Sequence, residues 1–151
     1  MPAFVTFGRI LFAVLFLYSG VTKLFALPAT AEFIAAKVAI PALLLPYTAQ
    51  LEGITGMATP QMLAIAVGSF EVIAGLMIAF NLAARFFAIL LIFFVAAATF
   101  YFHDFWNQSP PENAKSLVDA LKNLSIIGAL FIIAGVGRRA RTAVDSAYGD
   151  V

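Results

Sequence analysis

The chain of 151 residues contains no cysteine and a single histidine. The first absence excludes disulfides, thiolate metal sites and dithiol redox pairs, and the second excludes a multi-histidine metal site, so no metal centre is expected. Charge is equally scarce: Lys, Arg, Asp and Glu make up 11% of the residues, where a soluble domain carries about 25%. A formal net charge of +1 gives no electrostatic footprint for nucleic acid. The only cationic cluster, Arg138, Arg139 and Arg141, has no aromatics interleaved with it. What the chain has in abundance is apolar surface. Hydrophobic residues reach 63%, with 16 phenylalanines, and the mean hydropathy is +1.00. Too little polar surface is left to cover a core in water, so the solvent of this protein is expected to be the lipid bilayer.

Four segments are long and apolar enough to span hydrocarbon: 4–24, 60–80, 82–102 and 117–136. Each is close to the roughly 20 residues that a bilayer core demands, and none alternates polar with apolar as a membrane strand would. The expected fold is therefore all-α: an integral membrane, antiparallel four-helix bundle forming one transmembrane domain over 1–137. Thr59 and Pro60 read as the cap and first turn of the second span, and Asn81 with Leu82 as a tight turn into the third. Ser109, Pro110, Pro111 and Glu112 have capping-box spacing, which starts the fourth helix near Pro110, and Gly135 with Gly137 marks its exit. The long connection 26–59 is too apolar for an ordinary loop, yet Pro28, Pro41 and Pro46 forbid one continuous helix. Short interfacial helices are expected there, with Glu32, Lys37 and Glu52 facing water. Either they cover a site at one end of the bundle or they rest on headgroups.

The first apolar stretch is read as a retained helix instead of a cleaved signal peptide, because no Lys or Arg precedes Arg9 and Lys23 interrupts the pattern. With four spans, one side carries Arg9, Arg85 and the three tail arginines against Asp145 and Asp150. The other carries Lys23, Lys37, Lys115 and Lys122 against five acids. The positive-inside rule, decided by the arginine cluster of the polar tail 138–151, makes both termini cytoplasmic.

Ionisable residues within the spans are expensive and therefore informative. Glu71 follows Pro60 by eleven residues, about 16 Å along a helix, which places it near the bilayer midplane. An acid there costs on the order of 3 kcal/mol unless it is paired or protonated. It shares a face with Ala64, Gly68 and Gly75, small residues that admit a neighbouring helix. Two readings stand: polar glue between helices, or a site that carries a proton. Depth alone leaves Arg9 and Lys122 open as partners. Arg9 and Lys23 share one face of the first helix, and Arg85 and His103 one face of the third; such cations also snorkel to headgroups. His103, Asp104 and Trp106, with Lys122 and Asn123, gather at the outer ends of the third and fourth helices beside Lys23. The candidate polar pocket is thus Glu71, His103, Trp106, Lys122, Asn123 and Lys23, with Arg9 and Arg85 as structural or inner-side charges.

In the order and placement of these residues the chain resembles the DoxX family of small bacterial membrane proteins. The features are Gly8 and Arg9, then Ser19, Gly20 and Lys23, Glu71 with Gly75, Arg85, His103 with Trp106, and Lys122 with Asn123. The resemblance implies a four-helix protein of the bacterial inner membrane that is a partner of oxidoreductase or redox-stress complexes. A related group, DoxD, is similar to the membrane subunit of a thiosulfate:quinone oxidoreductase. No intrinsic cofactor is expected, since flavin fingerprints and paired haem histidines are lacking. A quinone is the expected ligand, hydrogen-bonded by His103, Lys122 or Asn123, packed on Trp106 or Tyr101, with Glu71 taking up a proton. Two alternatives belong to other classes: a small-solute transporter or permeability factor, and a non-catalytic membrane scaffold.

Overall fold

In the computed structural model, residues 2–148 are described, with side chains over 3–136, and every regular element among them is helical. The side chains of Arg138, Arg139, Arg141 and Asp145, and all of Asp150, lie outside the described residues. Six α-helices follow one another: α1 Pro2–Phe25, α2 Leu27–Lys37, α3 Leu45–Thr55, α4 Thr59–Ala79, α5 Ala84–Phe102 and α6 Glu112–Tyr148. Four stretches are long and apolar enough to cross a membrane: Ala3–Phe25, Thr59–Ala79, Ala84–Asn107 and Glu112–Val136. Large apolar side chains such as Phe4, Phe93, Phe100, Phe131 and Ile132 stand more than half exposed along them. Water would not tolerate so much apolar surface, whereas lipid solvates it.

The chain forms two compact units, residues 14–75 and residues 1–13 with 76–151. In the first, prolines punctuate the connection between the long helices. Pro28 and Pro46 sit in the first turns of α2 and α3, and Pro41 caps the 3-10 turn Ala42–Leu44. Proline is harmless at those places because a first-turn N–H has no intrahelical acceptor. Helix α2 buries Ala31 and Ile34 and leaves Glu32 exposed. Helix α3 ends at Gly56, whose N–H still bonds to the Glu52 carbonyl and whose φ of +68° turns the chain out of the helix. The Ala58 carbonyl accepts the first bonds of α4, so the cap falls one residue before Thr59. Gln61 Oε1 accepts from the Ala58 N–H, while Glu52 Oε1 accepts from both the N–H and the hydroxyl of Thr59, each at 2.6 Å. Those two bonds hold the half-buried Glu52 carboxyl below its usual range.

In the second unit α5 packs on α6. Ala84, Ala88, Leu91 and Val95, spaced at four, three and four residues, form one buried stripe along α5. The turn before α5 is longer than the Asn81–Leu82 pair expected. Asn81 and Ala83 both adopt positive φ, the Leu82 N–H reaches back to the Met77 carbonyl, and α5 starts at Ala84. At the other end α6 begins at Glu112, two residues past Pro110. It does not stop at Gly135 or Gly137, as expected, but continues to Tyr148. A helical glycine costs only about 1 kcal/mol, and good helix formers follow it here.

Candidate functional site

The ionisable residues fall into three groups. In the unit 14–75, α1 and α4 touch backbone to backbone. A Cβ built on Gly20 would lie 2.5 Å from the Gly68 carbonyl oxygen and 2.8 Å from Val72 Cγ2, and one on Gly68 would lie 2.9 Å from Leu24 Cγ. Leu24 thus lies against Gly68 and Gly20 against Glu71 and Val72, so the two segments cross with opposite chain sense. Three residues beyond each glycine stand Lys23 and Glu71. The Lys23 ammonium donates to Glu71 Oε2 at 2.8 Å and Oε1 at 3.1 Å, and to Ser19 Oγ one turn earlier. All three ammonium donors therefore have acceptors. The Glu71 side chain is 5% exposed and that of Lys23 30%.

The partner of Glu71 is therefore Lys23, and neither Arg9 nor Lys122. Depth along the span left Arg9 and Lys122 open, and Lys23 lies in the last turn of α1. A four-carbon stem folding back toward the helix N-terminus reaches Glu71 once paired glycines bring the helices together. Ser19, four residues before Lys23 on the same face, was the missing acceptor and was legible from that spacing.

The second group lies at the paired ends of α5 and α6. The Asn123 side-chain amide donates to Thr99 Oγ1 at 3.0 Å, and the Thr99 hydroxyl donates to the Val95 carbonyl. Beside this pair is an apolar groove of about 310 Å³ lined by Ala96, Thr99, Leu117, Ala120, Leu121 and Leu124. His103 caps α5, its N–H on the Thr99 carbonyl, and its partly buried imidazole makes no hydrogen bond among the described residues. Gln108 fastens the following 3-10 turn Phe105–Asn107 to α6: it donates to Asp104 and accepts from Ser116. Trp106 is half exposed, its ring 5.0 Å from Phe105 and 5.6 Å from Phe100. Lys122 is not aimed at Asn123; it pairs with Asp119 at 2.9 Å with a 67% exposed side chain. Thr99, Gln108 and Ser116 went unnoticed in the sequence, although Thr99 precedes His103 by one turn.

The family model described as DoxX matches residues 4–104. The chain belongs to the DoxX family. No curated protein and no solved structure matches it. The DoxX match contains Arg9, Lys23, Glu71, Arg85 and His103, whereas Trp106, Lys122 and Asn123 lie beyond it.

The third group consists of two arginines without a salt bridge among the described residues. Arg85 is exposed in the first turn of α5 with no hydrogen-bond partner among the described residues. Arg9 donates to Thr6 Oγ1 at 3.3 Å and lines a second apolar cleft, of about 250 Å³, between α1 and α6. Among the described residues no cluster of His, Asp and Glu is arranged to hold a metal ion.

Proposed function

We propose that this DoxX protein is a membrane subunit of an oxidoreductase or redox-stress complex and holds a quinone in the α5–α6 groove. One observation carries the reading: the groove is apolar along its length and polar at one point, Thr99, whose hydroxyl accepts from Asn123, with an imidazole that makes no hydrogen bond among the described residues one turn beyond. Its volume of about 310 Å³ falls at the lower end of the range for small-molecule sites. A quinone ring needs apolar walls and a donor for each carbonyl. The second N–H of the Asn123 amide and the imidazole of His103 are such donors. Reduction to the quinol takes up two electrons and two protons. The electrons come from the redox group of a partner subunit, and His103 relays protons, one ring nitrogen accepting while the other donates. In this reading the long helices form an antiparallel bundle in the bacterial inner membrane, both termini are cytoplasmic, and α2 and α3 lie at the interface. Lys23 and Glu71 hold the bundle together and leave proton transfer to His103.

The test is mass spectrometry of the quinones carried by the purified protein. Quinone retained by the wild type and lost from Asn123→Leu and His103→Ala supports the groove. Wild-type protein that carries none refutes it and favours the scaffold reading. The saturated ammonium of Lys23, which leaves no donor for a ligand, speaks for that alternative.

A further inference from the structure

Arg9 carries the one buried side-chain polar atom without a hydrogen bond among the described residues, its Nε. The guanidinium offers five N–H donors, and a single long bond, to Thr6 Oγ1 at 3.3 Å, uses one of them. No acid lies on α1, and on α6 none lies between Asp119 and Asp145, so neither element lining the cleft supplies a nearby counter-ion. A cation in apolar surroundings with its donors unused requires an anion from elsewhere.

The surroundings restrict what that anion is. The cleft is bounded by Gly8 and Phe12 of α1 and by Ala129, Ile132, Ile133 and Val136 of α6, all apolar. Gly8 contributes only backbone, and a Cβ added there would meet nothing within 4 Å, so the slot has room to be filled. The bond to Thr6, one turn earlier, shows that Arg9 runs toward the start of α1. Arg9 follows Pro2 by seven residues, about 10 Å of helix. A snorkelling side chain from that depth delivers its guanidinium to the headgroup level. An apolar slot in the hydrocarbon with a planar cationic fork at its polar edge has the two-part chemistry of a phospholipid.

We propose that Arg9 and the α1–α6 cleft bind one anionic glycerophospholipid from the leaflet at which α1 begins, its phosphodiester on the guanidinium and an acyl chain along Gly8. A net-negative headgroup is selected because a headgroup amine would set a second cation beside Arg9, with no acid on α1 and none on α6 between Asp119 and Asp145 to balance it. The proposal does not rest on the quinone reading, since no residue is shared between the two cavities.

The experiment is native mass spectrometry of the full chain in detergent micelles doped with phosphatidylglycerol or phosphatidylethanolamine of matched acyl chains, with glycerol 3-phosphate as the headgroup control. Wild type should retain one phosphatidylglycerol at least about tenfold more strongly than phosphatidylethanolamine, whose headgroup ammonium is repelled by Arg9. Arg9→Gln should lose that preference, and Arg9→Lys should restore part of it. Gly8→Leu, which fills open space, should lose retained phospholipid of both kinds while keeping wild-type helicity and elution. Glycerol 3-phosphate should not compete. Equal retention of the two lipids by wild type, an undiminished preference in Arg9→Gln, or full retention by Gly8→Leu would overturn the proposal. So would competition by the free headgroup.

Discussion

Removing the ammonium opposite Glu71 tests whether the ion pair fixes the crossing of α1 and α4. Lys23→Met keeps the length of the side chain but leaves a carboxyl group 4% exposed, with both of its bonds to Lys23, at 2.8 and 3.1 Å, gone. Breaking a buried pair from one side costs about 3–5 kcal/mol in soluble proteins. Insertion scales put an isolated acid in mid-membrane at about 2.5–3.5 kcal/mol. The lower range governs here, because the unfolded chain also resides in lipid and finds other partners. The expected loss is therefore about 2–3 kcal/mol. Glu71→Gln should cost less, about 1 kcal/mol. Its amide oxygen still accepts from Lys23, Ser19 still accepts too, and the 30% exposed Lys23 side chain has a path to water.

Replacing both partners with apolar residues, Lys23→Met with Glu71→Leu, removes both desolvation penalties. The double variant should return to within about 1 kcal/mol of wild type. Unfolding in detergent mixtures titrated with dodecyl sulfate, followed by circular dichroism, measures all four corners of the cycle. Two results would refute the reasoning: Lys23→Met as stable as wild type to within about 0.5 kcal/mol, or a double variant as unstable as the two singles added together.

The same crossing predicts an ordering among glycines: Gly20→Ala, whose Cβ would collide with backbone at 2.5 Å, should cost about 1–3 kcal/mol. Gly68→Ala, opposed first by the Leu24 side chain, should cost less, and Gly128→Ala and Gly135→Ala, which meet nothing within 4 Å, should be neutral or stabilising in the same titration. Because the Glu52 carboxyl titrates lower in the fold than its ordinary 4.5, its contribution is present above that value and is lost as pH falls through the depressed one. The melting-temperature gap between wild type and Glu52→Gln should accordingly close on acidification, and a gap unchanged well below pH 4.5 would sink the assignment. Ala83, exposed and at φ 47°, should gain up to about 1 kcal/mol on replacement by glycine, whereas an ordinary helix position loses that much; a lower melting temperature would contradict this.

The helical class and the four apolar helices were legible because lipid leaves the backbone few options: a run of about 20 apolar residues must satisfy its own hydrogen bonds. Glu71 stood out for the same reason, as did the small-residue face that carries Gly68. The partner of Glu71 was not legible. Axial position along a helix is readable from residue number, but the side-chain reach of Lys23 and the closeness permitted by Gly20 opposite Gly68 are properties of two helices together. Lys122 shows the converse. Its position in an apolar helix suggested a pocket, yet Asp119, three residues earlier, offered a nearer partner on its own surface. The end of α6 was misplaced because glycine weakens a membrane helix without ending it.

Whether a polar group inside the membrane is architecture or site is decided less by its charge than by whether its hydrogen bonds are complete. Lys23 has three donors and three acceptors within reach, all from the protein, and so has nothing left to offer a ligand. Glu71, the most conspicuous acid in the sequence, is thereby accounted for structurally. Arg9 is the opposite case, a guanidinium with its Nε buried and unbonded at the edge of an apolar cavity, and the His103 imidazole, one turn beyond Thr99 of the other cavity, also makes no hydrogen bond among the described residues. Desolvating a guanidinium without partners is costly, and a fold keeps it that way only where something else completes it. The chemistry of this DoxX protein should therefore be sought at Arg9 and His103, and variants of Lys23 and Glu71 that lose activity should lose stability first.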